Sequence, residues 1–314
     1  GREPCQRSNC DKEAQAHKLR VAPLPKELEA FKQLFSKYVT VFGVPVIAVE
    51  RVPDWKVEHT GNVLAQLLDY DQDGKVNNEK VLQAIHEHRG LVIILEHIEP
   101  DSWDKITAAG LHGQTLDASY IPSHVLNQYE GHGSHHGEED EVGRIDATAE
   151  EVMHMVFNSG YQNVYPRIFG NEHSRLSEAM DKQIADCGLA FRGTYKYPHC
   201  SGNFHYSDKG CEYYCLISEY QYWTFSALLG AQDGTLKWPT GSSQGRCSEI
   251  PFHGWELCSK SDVKSKDPDA YGIYDFDGDN QYKLPDRYPR GEYAPHPKPS
   301  QCDMALNVLY SFPR

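Results

Sequence analysis

Asp69-Tyr70-Asp71-Gln72-Asp73-Gly74-Lys75-Val76-Asn77-Asn78-Glu79-Lys80 is the stretch from which the rest of this 314-residue chain is read. Carboxylates on three alternate residues can converge on one hard cation, and a glycine at the sixth position allows the sharp turn that follows. Lys75, at the seventh position, offers its backbone carbonyl. Val76 suits the packed eighth position, and Asn77 brings an amide oxygen at the ninth. The twelfth position calls for a bidentate Glu, but Lys80 stands there and Glu79 lies one residue early. Either Glu79 closes the shell by a local shift, or the site is incomplete and weak. The expected ion is calcium, held by Asp69, Asp71, Asp73, Lys75, Asn77 and Glu79. The plainer alternative is a polar Asp/Gly turn between helices.

Both flanks read as helix. Upstream, Val57, Leu64 and Leu68 share a face at helical spacing, with Val63 and Leu67 beside it, and Asp54 after Pro53 is the expected N-cap. Downstream, Val81, Leu82 and Ile85 form a shorter amphipathic run that ends at Gly90. Helix, twelve-residue loop, helix resembles the EF-hand plan. Further out, Val39–Val49 reads as a buried strand, and Leu91-Val-Ile-Ile-Leu95 as another. Strand, helix, loop, helix, strand is an α/β pattern with crossover connections. Before it, a helix is expected over Pro25–Lys37, with Leu28, Phe31, Leu34 and Phe35 inward, preceded by an irregular arm.

Three later helices are expected, over Asp146–Phe157, Ser174–Cys187 and Glu212–Leu229. The last is apolar almost all round and should be buried. The C-terminal part is rich in Pro, Gly, Tyr and Cys, with little periodicity. The expected class is α+β: an arm (1–24), an α/β core (25–186) carrying the helix-loop-helix, and an irregular, disulfide-rich part (187–314).

Composition narrows the setting. With 39% hydrophobic and 11% aromatic residues the chain can build a sizeable core. A net charge of −14 argues against nucleic acid and anionic membrane surfaces as partners. No apolar run reaches bilayer-spanning length. Nine cysteines, none between Cys10 and Cys187, suggest a secreted, disulfide-bonded protein. The odd number leaves one free thiol or an intermolecular bridge. The chain begins at Gly1 with no signal peptide or initiator Met, and is read as a mature, processed form.

Two further segments could hold ions. The turn Asp275-Phe-Asp277-Gly278-Asp279, with Asp286 beyond it, is either a surface turn or a non-helical calcium site, since Pro285 blocks an exiting helix. The tract around His132, His135 and His136 is too polar and glycine-rich to fold alone. It reads as a solvated loop or a transition-metal binder.

Asp146-Ala-Thr148-Ala-Glu150-Glu151-Val-Met-His154 is the candidate active-site helix. On a helix, Glu150 and Glu151 lie four and three residues before His154, so all three can lean toward one ion or substrate. This segment resembles the zincin metallopeptidase signature His-Glu-x-x-His, with Glu150 in place of the first His. The resemblance covers roughly residues 39–181 and implies a zincin-like α/β half, with a cysteine-bearing second half across a cleft. It implies that Glu151 is the general base and His154 a zinc ligand, with Glu150 where the other ligand should stand. The third ligand would come from Glu172, His173, Glu178 or Asp181. Phe157 and Gly160 occupy the positions where the extended signature has Gly and a third His. Read without the resemblance, Thr148-x-x-Glu151 is a capping box, the acidic pair suits a helix start, and His154 is an interior or groove histidine.

Two functions follow as expectations. One is a secreted calcium-binding protein on a zincin-like scaffold, acting as a metal-dependent, peptidase-like hydrolase with zinc or another divalent metal. The other is a non-enzymatic extracellular calcium- or metal-binding structural or matrix protein. Partners are metal ions and an extracellular protein partner or substrate.

Overall fold

Phe42 and Gly43 both adopt positive φ, 49° and 81°. The apolar run around them therefore folds back as a two-residue hairpin instead of one strand over Val39–Val49, because only turns of this hand match the twist of the flanking strands. The computed structural model describes residues 19–111, 113–121, 146–232, 254–274, 285 and 287–295. The chain divides into two compact units: Gly1–Glu138 with Asp146–Met155 and Pro289–Arg314, and Glu139–Ile145 with Val156–Tyr288. The division differs from the expected cut after residue 186, and it returns the C-terminal segment to the first unit.

In the first unit, β1 (Lys37–Val41) pairs antiparallel with β2 (Val44–Ala48). β2 pairs parallel with β3 (Val92–Leu95), and β3 parallel with β4 (Gln114–Asp117). Strand order follows chain order. Pro45 is tolerated because it precedes the parallel ladder, which begins at Val46. Together the helices and this mixed sheet make the unit α+β.

Alternation along the strands assigns each residue to one face. Val39, Val46 and Val92 are in register on one face. Helix α1 (Asp54–Leu68) lies against that face, with Gly61 at the closest approach. A Cβ there would stand 3.1 Å from Val39 Cγ2 and 2.7 Å from Leu19 Cδ1. On the other face, Tyr38, Ile47 and Ile93 form a core with Leu24, Phe35, Leu111 and Ile106 of α3 (Ser102–Ala108). The helix expected over Pro25–Lys37 is only a 3-10 turn, Lys26–Phe31. Leu34 is left exposed at 42%, because the chain must enter the sheet at Lys37. Asp54 is the first helical residue of α1 and not its cap; Pro53 holds that position, and the Asp54 carboxylate takes the Lys37 ammonium at 2.7 Å. Helix α2 (Glu79–Glu87) is capped by Asn78, which accepts from the Val81 N–H. Helix α4 (Thr148–Val156) follows later in the chain.

In the second unit, a π-helical turn at Phe157–Tyr161 stacks Phe157 on Tyr161, and Phe169 packs edge-on to both rings. Helix α5 (Arg175–Ile184) opens with a capping box at Ser174 and Ser177. Helix α6 (Tyr213–Leu228) is buried over most of its length from Leu216 onward, as its apolarity requires, while Tyr214 in its first turn is 60% exposed; Trp255 packs edge-on to Tyr220. Disulfides join Cys187 to Cys200 and Cys211 to Cys215, and Cys258 is also disulfide-bonded. Cys5, Cys10, Cys247 and Cys302 lie outside the described residues. No helix among the described residues is long and apolar enough to cross a membrane.

Two short helices, α7 (Lys260–Lys266) and α8 (Pro268–Ile273), meet at Asp267. Its carboxylate caps α8 through the Ala270 N–H and accepts the Tyr220 hydroxyl at 2.5 Å. Asp267 is 1% exposed. Burial pushes its pKa up from 3.8 to about 6, against the opposing Tyr220 and Ala270 bonds.

Gly61→Val should destabilise the first unit by ~1–3 kcal/mol through overpacking, read as a fall in melting temperature. Asp267 ionises less readily folded than unfolded. Its contribution is therefore most favourable below pH 3.8 and is lost as pH rises through about 6. Relative to Asp267→Asn, which does not titrate, the wild type should lose at most ~3 kcal/mol between pH 4 and pH 7, as measured by denaturant unfolding at each pH.

Candidate metal centre

The end of α1 and the start of α2 fix the loop between them. The Asp69 N–H bonds the Ala65 carbonyl in the last turn of α1, and the Asn77 N–H bonds the Leu68 carbonyl at 2.9 Å. The loop thus closes across its base. Gly74, at φ 85°, makes the turn. Asp69, Asp71 and Asp73 each present a carboxylate oxygen, and these oxygens lie within 4.8 Å of one another. The donors are hard, anionic and on alternate residues, which fits a hard divalent cation such as calcium.

The three aspartates are not equivalent. Asp69 is fully buried, whereas Asp71 is exposed. The Asp69 carboxylate accepts from the Asp73 N–H at 3.1 Å, the Gly74 N–H at 2.9 Å and the Tyr293 hydroxyl at 2.6 Å. Burial dominates and pushes its pKa up to about 6, although Tyr293 and Gly74 favour the ionised form. Burial, with Asp69, Asp73 and Asp71 nearby, also drives the Tyr293 phenol well above its ordinary value.

The other expected ligands are placed differently. The Asn77 side chain braces the loop, accepting from the Tyr70 N–H at 2.6 Å and donating to Asp71 at 3.1 Å. The Lys75 N–H donates to Asp73. Glu79 opens α2, is exposed, and is not part of the aspartate group.

Sequence reasoning missed what holds this loop from outside. Gln66 Oε1 accepts the N–H groups of Arg290 (2.9 Å) and Gly291 (2.7 Å), and Gln66 Nε2 donates to the Glu292 carbonyl. Gln72 Oε1 accepts the Ala294 N–H at 2.9 Å. Residues 290–294 therefore form a strap across the end of α1 and the loop. No local signal marks it, since its partners lie more than 200 residues away.

On α4, a Glu150 carboxylate oxygen and a His154 ring nitrogen lie within 4.8 Å of each other. His154 is buried and Glu150 half-buried. Glu151 turns elsewhere: its carboxylate accepts Gln114 Nε2 at 2.5 Å. The capping-box reading does not hold. The Glu151 N–H bonds the Ala147 carbonyl and not the Thr148 hydroxyl. The helix is started instead by Asp146, whose carboxylate accepts the Thr148 N–H at 2.9 Å. That carboxylate also meets His59 Nε2 at 2.6 Å, both side chains being buried. Burial pushes the Asp146 carboxyl up, but the His59 imidazole and the Thr148 bonds outweigh it and hold the group below its ordinary value.

Glu172, His173, Glu178 and Asp181 belong to the second unit and are exposed. Asp181 accepts the Tyr213 hydroxyl at 2.8 Å. His132, His135 and His136, and the turn with Asp275, Asp277, Asp279 and Asp286, lie outside the described residues.

No protein-family model matches the chain, and comparison with curated proteins and with solved structures returns no match.

Asp69 and Asp71 should separate scaffold from ligand. Asp69→Ala strands two backbone N–H groups and a phenol, and should cost ~2–4 kcal/mol even in chelator. Asp71→Ala, at an exposed position, should cost under ~1 kcal/mol in chelator. Unfolding curves of both variants in excess EGTA provide the comparison.

Proposed function

We propose that this is an extracellular calcium-binding protein in which the ion organises the helix-loop-helix of the first unit. One observation carries the reading: Asp69, Asp71 and Asp73 converge in a loop bounded by two helices, with the first carboxylate buried. Three carboxylates so close repel one another unless a cation sits among them. Glu79 is not among the converging carboxylates, so the shell is less complete than in an ideal loop. The site therefore suits calcium-rich surroundings, where a modest affinity suffices. Disulfides at Cys187–Cys200 and Cys211–Cys215 support an oxidising compartment, hence secretion. In this reading the ion is structural, and the protein serves as a calcium-binding component of a matrix or body fluid.

A second reading, a metal-dependent hydrolase on a zincin-like scaffold, draws support from the Glu150–His154 pair on α4. These two would hold zinc or another divalent ion. The role of base for Glu151 meets an obstacle, since its carboxylate is engaged by Gln114. A Glu in place of the first His also weakens the ion's ability to acidify a bound water, because it adds negative charge to the site.

Metal analysis of the purified protein decides between them. The structural reading expects about one calcium per chain and no stoichiometric zinc. It also expects a melting temperature that falls in EDTA and returns with added calcium, because an ion bound only to the folded state stabilises it by mass action. An unchanged melting curve in EDTA, from protein shown beforehand to contain calcium, overturns it. Stoichiometric zinc, with a peptidase activity lost in Glu151→Gln, establishes the hydrolase instead.

A further inference from the structure

We infer that the strap formed by residues 290–294 is a latch coupled to the ion loop, so that calcium binding and strap docking strengthen one another. This rests on the calcium reading above and adds a regulatory element to the same site. Two sets of contacts carry it. One is at the ion loop: the Tyr293 hydroxyl donates to Asp69 Oδ2, and the Ala294 N–H donates to Gln72 Oε1 within the loop itself. The other is outside the loop. Gln66, on the last turn of α1, takes the N–H groups of Arg290 and Gly291 and donates to the Glu292 carbonyl. Gln66 thus grips the strap backbone on both donor and acceptor sides without being a loop residue.

The coupling follows from charge. A cation among Asp69, Asp71 and Asp73 draws the three carboxylates together and holds the loop that carries them in one arrangement. Tyr293 and Ala294 then find Asp69 and Gln72 in the positions they bond to. Without the ion, the close carboxylates repel, the loop relaxes, and Tyr293 and Ala294 lose the positions they bond to. Thermodynamic reciprocity requires the converse: a docked strap pre-forms the Asp69 carboxylate and tightens calcium binding by the same factor. The partner of the loop is this chain's own C-terminal segment.

Gln66→Ala in the full chain is the decisive variant, because it loosens the strap and leaves every loop side chain in place. Calcium affinity by titration calorimetry should fall roughly three- to tenfold. Tyr293→Phe, which removes one hydroxyl, should lower it in the same direction. In the wild type, amide exchange at residues 290–294 should be slowed by calcium and speeded by EGTA by a comparable factor. Unchanged affinity in both variants, with strap exchange indifferent to calcium, overturns the latch while leaving the calcium site standing. Failure of the wild type to bind calcium at all overturns both together. Should Gln66→Ala fail to fold, the Tyr293→Phe titration and the wild-type exchange experiment decide the matter alone.

Discussion

The first unit depends on a carboxylate that has no access to solvent. Burying an ionised Asp is costly unless its oxygens are bonded, and Asp69 is surrounded by donors: two loop N–H groups and a phenol. The loop curls because those N–H groups must reach it. The second helix starts where it does because the loop closes on the Leu68 carbonyl. The distant segment around Tyr293 is drawn in to supply the third donor. A cation, as proposed, would add the positive charge that these dipoles only imitate.

A second buried carboxylate does comparable work on another helix. Asp146 joins His59 of α1 to the first turn of α4. It thereby fixes the stretch from which Glu150 and His154 project. The same helix sends Glu151 toward Gln114 at the start of β4. Three acidic residues within six positions are thus placed differently: Asp146 starts the helix and meets His59, Glu150 lies beside His154, and Glu151 anchors to a strand.

Much of this was legible in the sequence, and what was not has physical causes. The helices flanking the aspartates, the β3 run and the buried α6 announce themselves because their apolar periodicity is strong and local. The hairpin at Phe42-Gly43 was hidden because Phe is a poor advertisement for a left-handed turn; tertiary contact selects it, with His86 bonding the Phe42 carbonyl. β4, with only four residues, is too short to show a period. The capping role misassigned to Thr148 belongs to Asp146, two residues earlier, and both residue types suit that position. The aspartate triplet was evident from spacing alone. Its outer support was not, since Gln66 and Gln72 look like ordinary exposed polar residues until their partners from the end of the chain are seen.

The return of residues 289–295 to the first unit has a consequence for how the molecule is made. The bonds from Gln66 and Asp69 bridge more than 220 positions. A chain emerging from the ribosome therefore has the sheet and its helices available early, yet the Tyr293 donor to Asp69 follows it by 224 residues. Closing so long a loop is slow, though its entropic cost grows only logarithmically with length. Until then the nascent first unit carries an aspartate short of one donor, and its final consolidation waits for the second unit, Val156–Tyr288, to be synthesised.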